Sequence, residues 1–209
     1  MESAKSLPEL MSSFGIDPCS REGEALRKYL ALLEKWNVRI NLTASTAWPE
    51  LRDFFAEALW AACFYPREIV DHIDIGSGAG FPAIPMRIVL PSMTLRLVET
   101  RAKRAAFLET LAAELLLEGT EVFCGRIEDW LRTTPGARLG VVSWKGVKLG
   151  AEALERMRER GDPGTRLWLF HGKELPLENP EEASRALRLL RRERFYDREG
   201  WLLSIYAFR

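Results

Sequence analysis

The residues richest in chemistry stand together in His72-Ile73-Asp74-Ile75-Gly76-Ser77-Gly78-Ala79-Gly80-Phe81. Three glycines at alternate positions, after an apolar run and before a helical pattern, let a backbone turn tightly and approach a ligand with no side chain in the way. The dinucleotide fingerprint needs its third glycine one place later, where Phe81 stands, so a pyrophosphate-binding site fits this loop less well.

An acid two residues before the first glycine, as Asp74 is, is instead the arrangement of S-adenosylmethionine (SAM) methyltransferases. Glu99 adds a second requirement. It ends the next strand pattern, 19 residues after Gly80, where a carboxylate can accept hydrogen bonds from both ribose hydroxyls of a nucleoside. The alternative is that the glycines only turn the chain and Glu99 is a solvated strand end.

The elements that must hold these groups follow from periodicity. Residues 21–36 place Leu26, Tyr29, Leu30, Leu33 and Trp36 at helical spacing, and residues 37–43 interrupt the pattern. A second, aromatic helix is expected over 50–64, with Phe54, Phe55, Trp60 and Phe64. From residue 69 onward short apolar runs alternate with helices. Strands are predicted at 69–75, 94–99, 121–124, 139–143 and 166–170, with helices at 81–90, 102–117 (stopped at Gly119) and 151–160. Such alternation argues for a parallel sheet covered on both faces. The tail breaks it: a helix over 181–192 precedes a hairpin of strands 194–197 and 202–208 around Glu199-Gly200. The expectation is an α/β fold with a seven-stranded, mostly parallel sheet and an antiparallel C-terminal strand. Residues 1–66 form an N-terminal helical extension packed on a domain of residues 67–209.

Composition narrows the chemistry. The chain has 209 residues, 30 Lys plus Arg against 30 Asp plus Glu, and a 47% apolar fraction, values of an ordinary globular protein. Zero net charge removes the electrostatic footprint of a nonspecific duplex binder but leaves room for a local basic patch. Cys19, Cys63 and Cys124 are odd in number and lack CxxC spacing, and His72 and His171 lie far apart. A disulfide framework, a metal site and a His-centred triad are disfavoured. Cys124 is read as buried packing. Met1-Glu2-Ser3-Ala4-Lys5 leads into no apolar leader, and no apolar run reaches the roughly 18 residues of a membrane span. A monomer in a reducing cytoplasm is the expectation.

At its motifs the chain resembles the RsmG (GidB) family. Lys35-Trp36-Asn37 with Ile40-Asn41-Leu42-Thr43, Asp74 through Pro91 including Gly80-Phe81-Pro82-Ala83-Ile84-Pro85, and Lys103-Arg104 with Phe107-Leu108 carry the resemblance. Gly125-Arg126-Ile127-Glu128 follows where the family has an Arg-x-Glu segment. The resemblance implies a class I SAM-dependent methyltransferase of Rossmann-like fold that methylates N7 of a guanine in the decoding-centre loop of 16S rRNA. Its partner would be that rRNA or the small ribosomal subunit. It implies SAM contacts at Gly76, Phe81, Glu99, Ile127 and Glu128; the glycine loop itself adds Asp74, Ser77, Gly78 and Gly80 as cofactor-binding candidates. Asn41, Leu42 and Thr43 match a segment near the active-site mouth.

Departures fall on the substrate side. The family's His and Asp-Ser in the second helix are Asp53 and Ala56-Glu57 here, its Ser-Arg-Ala after the fourth strand is Ser143-Trp144-Lys145, and its Lys-Gly after the fifth is His171-Gly172. Lys145 and Lys173 are candidates to restore the lost positive charge. Trp144 either stacks on adenine or a base, or packs in place of the missing Arg. Asn41 either orients the substrate or caps a helix, and His171 is a substrate contact or structural. The arginines of 185–198 are either an RNA-backbone stripe or a solvated face. Guanine N7 carries a lone pair and no proton, so no catalytic base is assigned. Alternatives are a methyltransferase for another RNA or a small molecule, a SAM-binding module without catalysis, and, last, a nucleotide-dependent oxidoreductase.

Overall fold

The computed structural model describes residues 6–68, 71–196 and 198–209, and only the backbone at 182–184. The segment 1–5, Ile69 and Val70 of the first expected strand, and Asp197 of the hairpin lie outside the described residues.

Seven strands form one sheet: β1 Asp71–Ile75, β2 Thr94–Glu99, β3 Thr120–Cys124, β4 Val141–Lys145, β5 Arg166–His171, β6 Leu187–Arg194 and β7 Leu202–Phe208. Their order is β3-β2-β1-β4-β5-β7-β6, with β7 antiparallel to both its neighbours and all other pairs parallel. Parallel strands need covered faces. Helices α1 Leu7–Ser13, α2 Arg21–Ile40, α3 Trp48–Ala62, α4 Ala83–Val89 and α5 Ala102–Glu114 supply one cover, and α6 Ile127–Thr133 and α7 Ala151–Arg160 the other. A short α8, Pro180–Ala186, leads into β6. The first apolar cluster runs unbroken from Leu10, Tyr29 and Phe55 through Phe81 and Leu108 to Phe170 on the sheet. The second gathers Ile73, Trp144, Leu167 and Met157.

Three departures from the expected elements have local causes. Helix α2 runs on through Asn37 to a left-handed cap at Asn41 (φ 47°). The Asn37 side chain accepts from Thr43 N at 2.8 Å, so it pins the turn that follows the helix instead of breaking it. The stop of α5 is Leu116, at φ 51°, with Gly119 in the turn beyond. The expected helix over 181–192 is the largest error: β6 occupies Leu187–Arg194 and pairs with β7 from Leu187↔Phe208 to Arg194↔Leu202. An arginine-rich edge strand has little of the period-2 apolar pattern, because both faces of β6 are largely exposed and Leu187 is its one buried residue. Cys124 is exposed, not buried, because β3 is the opposite edge of the sheet.

Two contacts tie the helical layer and the inner strands to the glycine loop. The Tyr29 hydroxyl on α2 donates to Ala79 O at 2.8 Å, and its ring packs on Phe55 and Phe81. Beneath the loop, Asp74 and Ser143 are register partners on β1 and β4. Ser143 Oγ donates to Asp74 Oδ1 at 2.6 Å and lies 2.7 Å from His72 Nε2. Burial pushes His72 down to about 3 and Asp74 up to about 7, the latter opposed by hydrogen bonds from Ser143 and Ser77. His72 is therefore neutral at physiological pH, and its Nε2–H donates to Ser143 Oγ.

Replacing Tyr29 with Phe leaves the Ala79 carbonyl without this partner and is expected to cost about 1 kcal/mol in urea unfolding. Asp74 is raised above its unfolded value, so its contribution to stability is full below about pH 4 and is lost as pH rises through about 7. The His72 contribution runs the other way, full above about pH 6.5 and lost toward about 3, and cancels in a comparison between variants at position 74. Asp74→Asn keeps an acceptor for Ser143 and is expected to gain on the order of 1 kcal/mol over the parent on moving from about pH 5 to about pH 8. A parent-to-variant difference that stays constant with pH would show that Asp74 does not carry the slope.

Candidate functional site

In this strand order the chain reverses direction across the sheet between β1 and β4, which opens a crevice beyond their carboxyl ends. The glycine loop fills its floor. Gly76, Gly78 and Gly80 all have left-handed backbone, with φ of 72°, 55° and 95°. A Cβ on Gly80 would stand 2.8 Å from Ile84 Cγ1, and one on Gly76 only 2.2 Å from Val147 Cγ2. Those two positions are closed by packing. At Gly78 the nearest side-chain atom to such a Cβ is Arg104 Nη1, 3.5 Å away, so the missing side chain leaves space toward the crevice.

Glu99 holds this loop in place. One carboxylate oxygen accepts from Gly78 N at 2.9 Å and the other from Arg101 N at 2.8 Å. A carboxylate has roughly four lone-pair sites; Thr100 Oγ1 takes a second on Oε1 at 3.4 Å, so the remaining acceptor capacity lies on Oε2, the oxygen bound to Gly78 N. A cavity of about 760 Å³ opens there, lined by Gly76, Glu99, Arg104, Ile127, Glu128 and Lys145 among others. Ile127 and Glu128 begin α6, a helix the apolar periodicity did not reveal because it has only seven residues.

A second cavity, of about 550 Å³, adjoins the first and is lined by Leu42, Thr43, Phe54, Glu57, Ser77, Gly78 and Phe81. Gly76, Arg104, Lys145 and Gly146 line both. The structure thus brings Gly76, Ser77, Gly78, Phe81, Glu99, Ile127 and Glu128 to two connected spaces. Asp74 and Gly80 line neither; Asp74, 2% exposed, supports the loop from below.

Several substrate-side expectations change. Trp144 has no exposed surface, and its Nε1 donates to Pro176 O at 2.9 Å. It is a core residue and offers no stacking face, because strand alternation turns it into the second apolar cluster. His171 is buried, with Nδ1 at 2.8 Å from Gly172 O and Nε2 at 2.8 Å from Ser204 Oγ. Both ring nitrogens are engaged, so its place is structural. Lys173 is exposed and lines neither cavity. Asn41 caps α2, and its carbonyl accepts from Arg104 Nη2 at 3.4 Å; its neighbours Leu42 and Thr43 are the ones at the mouth. The basic tail is likewise a strand, with Arg191 stacked over Phe64 and Arg198 over Trp201.

Lys145 does line both cavities, but its charge is not free. Its Nζ donates to both carboxylate oxygens of Glu57, at 2.7 and 2.9 Å, and sits 4.7 Å from the centroid of the Phe54 ring. Burial lowers the Lys145 pKa while Glu57 raises it. Sequence reading missed this partner because 88 residues separate the two; only their joint departure from the family pattern hinted at it. Among the described residues no cluster of acids, His and Cys could hold a metal ion, and no helix is long and apolar enough to cross a membrane.

Comparison with known proteins agrees with this geometry. Among solved structures, the mitomycin 7-O-methyltransferase MmcR superposes with a TM-score of 0.60 at 15% identity, covering 100% of this chain and 74% of that one. A ribosomal protein L11 methylase from Lactobacillus delbrueckii subsp. bulgaricus gives 0.50 at 10% identity, covering 75% and 78%. These likenesses establish the fold as that of class I SAM-dependent methyltransferases. Ribosomal RNA small subunit methyltransferase G of Streptococcus pyogenes serotype M12 (strain MGAS2096) is 40% identical over 119 residues, 56% of this chain and 50% of that protein. The same-named protein of Streptococcus gordonii is 33% identical over 193 residues, 87% of this chain and 78% of its own length. The chain thus spans about half the length of the first of these relatives and most of the second. The family model for GidB, rRNA small subunit methyltransferase G, matches residues 22–194, and the chain belongs to that family, whose cofactor is SAM.

Proposed function

We propose that this protein transfers the methyl group of SAM to N7 of a guanine in the decoding-centre loop of 16S rRNA, acting as a cytoplasmic monomer on the rRNA or the small subunit. One observation carries the reading. The cavity bounded by the glycine loop and Glu99 meets a second, aromatic cavity at Gly76, Arg104, Lys145 and Gly146, so a cofactor in one and a base in the other would meet at that junction.

The residues fit the cofactor. Glu99 has acceptor capacity for ribose hydroxyls, Gly78 leaves room for a ligand against its backbone, and Ile127 gives the first cavity an apolar wall. SAM supplies a methyl group on a sulfonium, already activated for displacement. The remaining work of this chain is to orient the acceptor and exclude water. Phe54 and Phe81 give the second cavity aromatic walls suited to an unstacked base. N7 attacks with its own lone pair, so no residue has to remove a proton.

Labelled methyl from SAM is expected to enter unmethylated small subunits, with the label mapping to guanine N7. Incorporation at another atom, or none despite SAM binding, would refute the assignment. Glu99→Ala removes the ribose acceptor and the loop anchor together and is expected to weaken SAM binding about 10- to 100-fold by calorimetry. Unchanged affinity would place the nucleoside elsewhere.

A further inference from the structure

The mechanism above leaves one buried group unused. Glu57 is 2% exposed, yet its carboxylate forms part of the wall of the second cavity. Its partner Lys145 reaches it from β4. Phe54, one turn earlier on the same face of α3, lies against the ammonium group, and Trp201 stands 5.4 Å away on the far side. Taking both charges out of water costs free energy that an apolar pair of similar volume would avoid. Stability alone is therefore a weak reason for an ion pair at this wall.

We propose that Glu57 and Lys145 read the Watson–Crick edge of the target guanine, an inference that rests on the guanine-N7 reading above. Guanine presents there an acceptor, O6, followed by two donors, N1–H and the N2 amino group. Lys145 has three donors, two of them given to Glu57 in this structure, and the third is available to O6. Lys145 bridges both Glu57 oxygens in this structure; drawn toward O6, it keeps one of them and leaves the shared face of the carboxylate to N1–H and N2–H. The pair side by side thus offers donor, acceptor, acceptor, the pattern of cytosine's pairing edge. Adenine would set its amino group against the ammonium and its N1 lone pair against the carboxylate, and both contacts repel. Phe54 and Phe81 line the cavity and bound the space in which the base lies. Holding O6, N1 and N2 leaves N7 free on the neighbouring edge. Glu57 and Lys145 are specificity residues in this scheme, not participants in methyl transfer.

The test is a charge swap. Glu57→Lys combined with Lys145→Glu restores an ion pair but reverses the order of donors and acceptors. Thermal melting is expected to stay close to that of the parent, while kcat/KM for labelled methyl transfer to unmethylated small subunits, measured at saturating SAM, falls about 100-fold or more. A folded swap variant that transfers methyl within about threefold of the parent overturns the inference and leaves the pair a structural strut. A second arm needs no variant protein: subunits reconstituted with inosine at the target position lack the N2 amino group. The parent protein is expected to methylate them about tenfold less efficiently than guanine subunits, and equal efficiency overturns the inference even if the swap does not fold. If the parent methylates no guanine N7 at all, the functional reading falls and this inference with it. Methylation of N7 that is indifferent to inosine overturns the inference alone.

Discussion

The site depends on three left-handed backbone positions in a row of five residues, Gly76, Gly78 and Gly80. An L side chain pays for such backbone in strain, and here two of the three positions are also closed by Val147 and Ile84. The loop can follow this path only because it is held from several sides. Glu99 takes the Gly78 N–H from β2, Tyr29 takes the Ala79 carbonyl from α2, and Ser77 Oγ donates to Asp74 O at 2.9 Å. Each hold comes from a different element. The N-terminal helices therefore do more than cover apolar surface: they fix one side of the loop that forms the cofactor cavity and contribute Leu42, Phe54 and Glu57 to the next one.

What could be read from the sequence divides along the range of the forces involved. The glycine loop, Glu99 and the alternation of β1 through β5 with helices α4, α5 and α7 depend on local pattern, and they stand where the spacing put them within a few residues. The errors arise where a distant partner decides. Leu187–Arg194 has helix-forming residues and charges, but β7 offers an unpaired edge, and pairing from Leu187 to Arg194 overrides propensity. Trp144 sits at a strand end where an aromatic reads as a platform, yet the pleat directs it inward to Pro176. His171 and Ser204 meet only because β5 and β7 are antiparallel neighbours.

The same limit explains the substrate side. Lys145 and Glu57 each depart from the family pattern, and taken singly they signify a lost Arg and a gained acid. Brought together at 2.7 Å they are one unit. A basic residue facing a carboxylate no longer adds to a positive rim, so in the proposed reaction electrostatic attraction of RNA must come from elsewhere. Arg104, lining both cavities, and Arg198, at the second cavity over Trp201, are placed for that. The rim is balanced as the whole chain is: Glu50 and Asp53 line the second cavity beside Arg104 and Arg198, so in the proposed reaction attraction of RNA rests on these two arginines and not on a net positive field.

Three acids at or beneath the site are committed to holding structure. Glu99 accepts from two backbone N–H groups, Glu57 accepts from Lys145, and Asp74, the one carboxyl pushed up to about 7, lies under the loop and accepts from Ser143. A group with that pKa would suit a general base, but Asp74 lines neither cavity and its carboxyl faces the buried Ser143–His72 chain instead of the crevice. Its shift is the cost of burying a carboxyl beneath a ligand-binding turn, not a sign of proton transfer. In the proposed transfer the nucleophile brings its own lone pair and places no demand on these groups. The polar side chains described here can then serve position, and the accuracy of that reaction would come from how narrowly base and cofactor are held at the junction lined by Gly76 and Lys145.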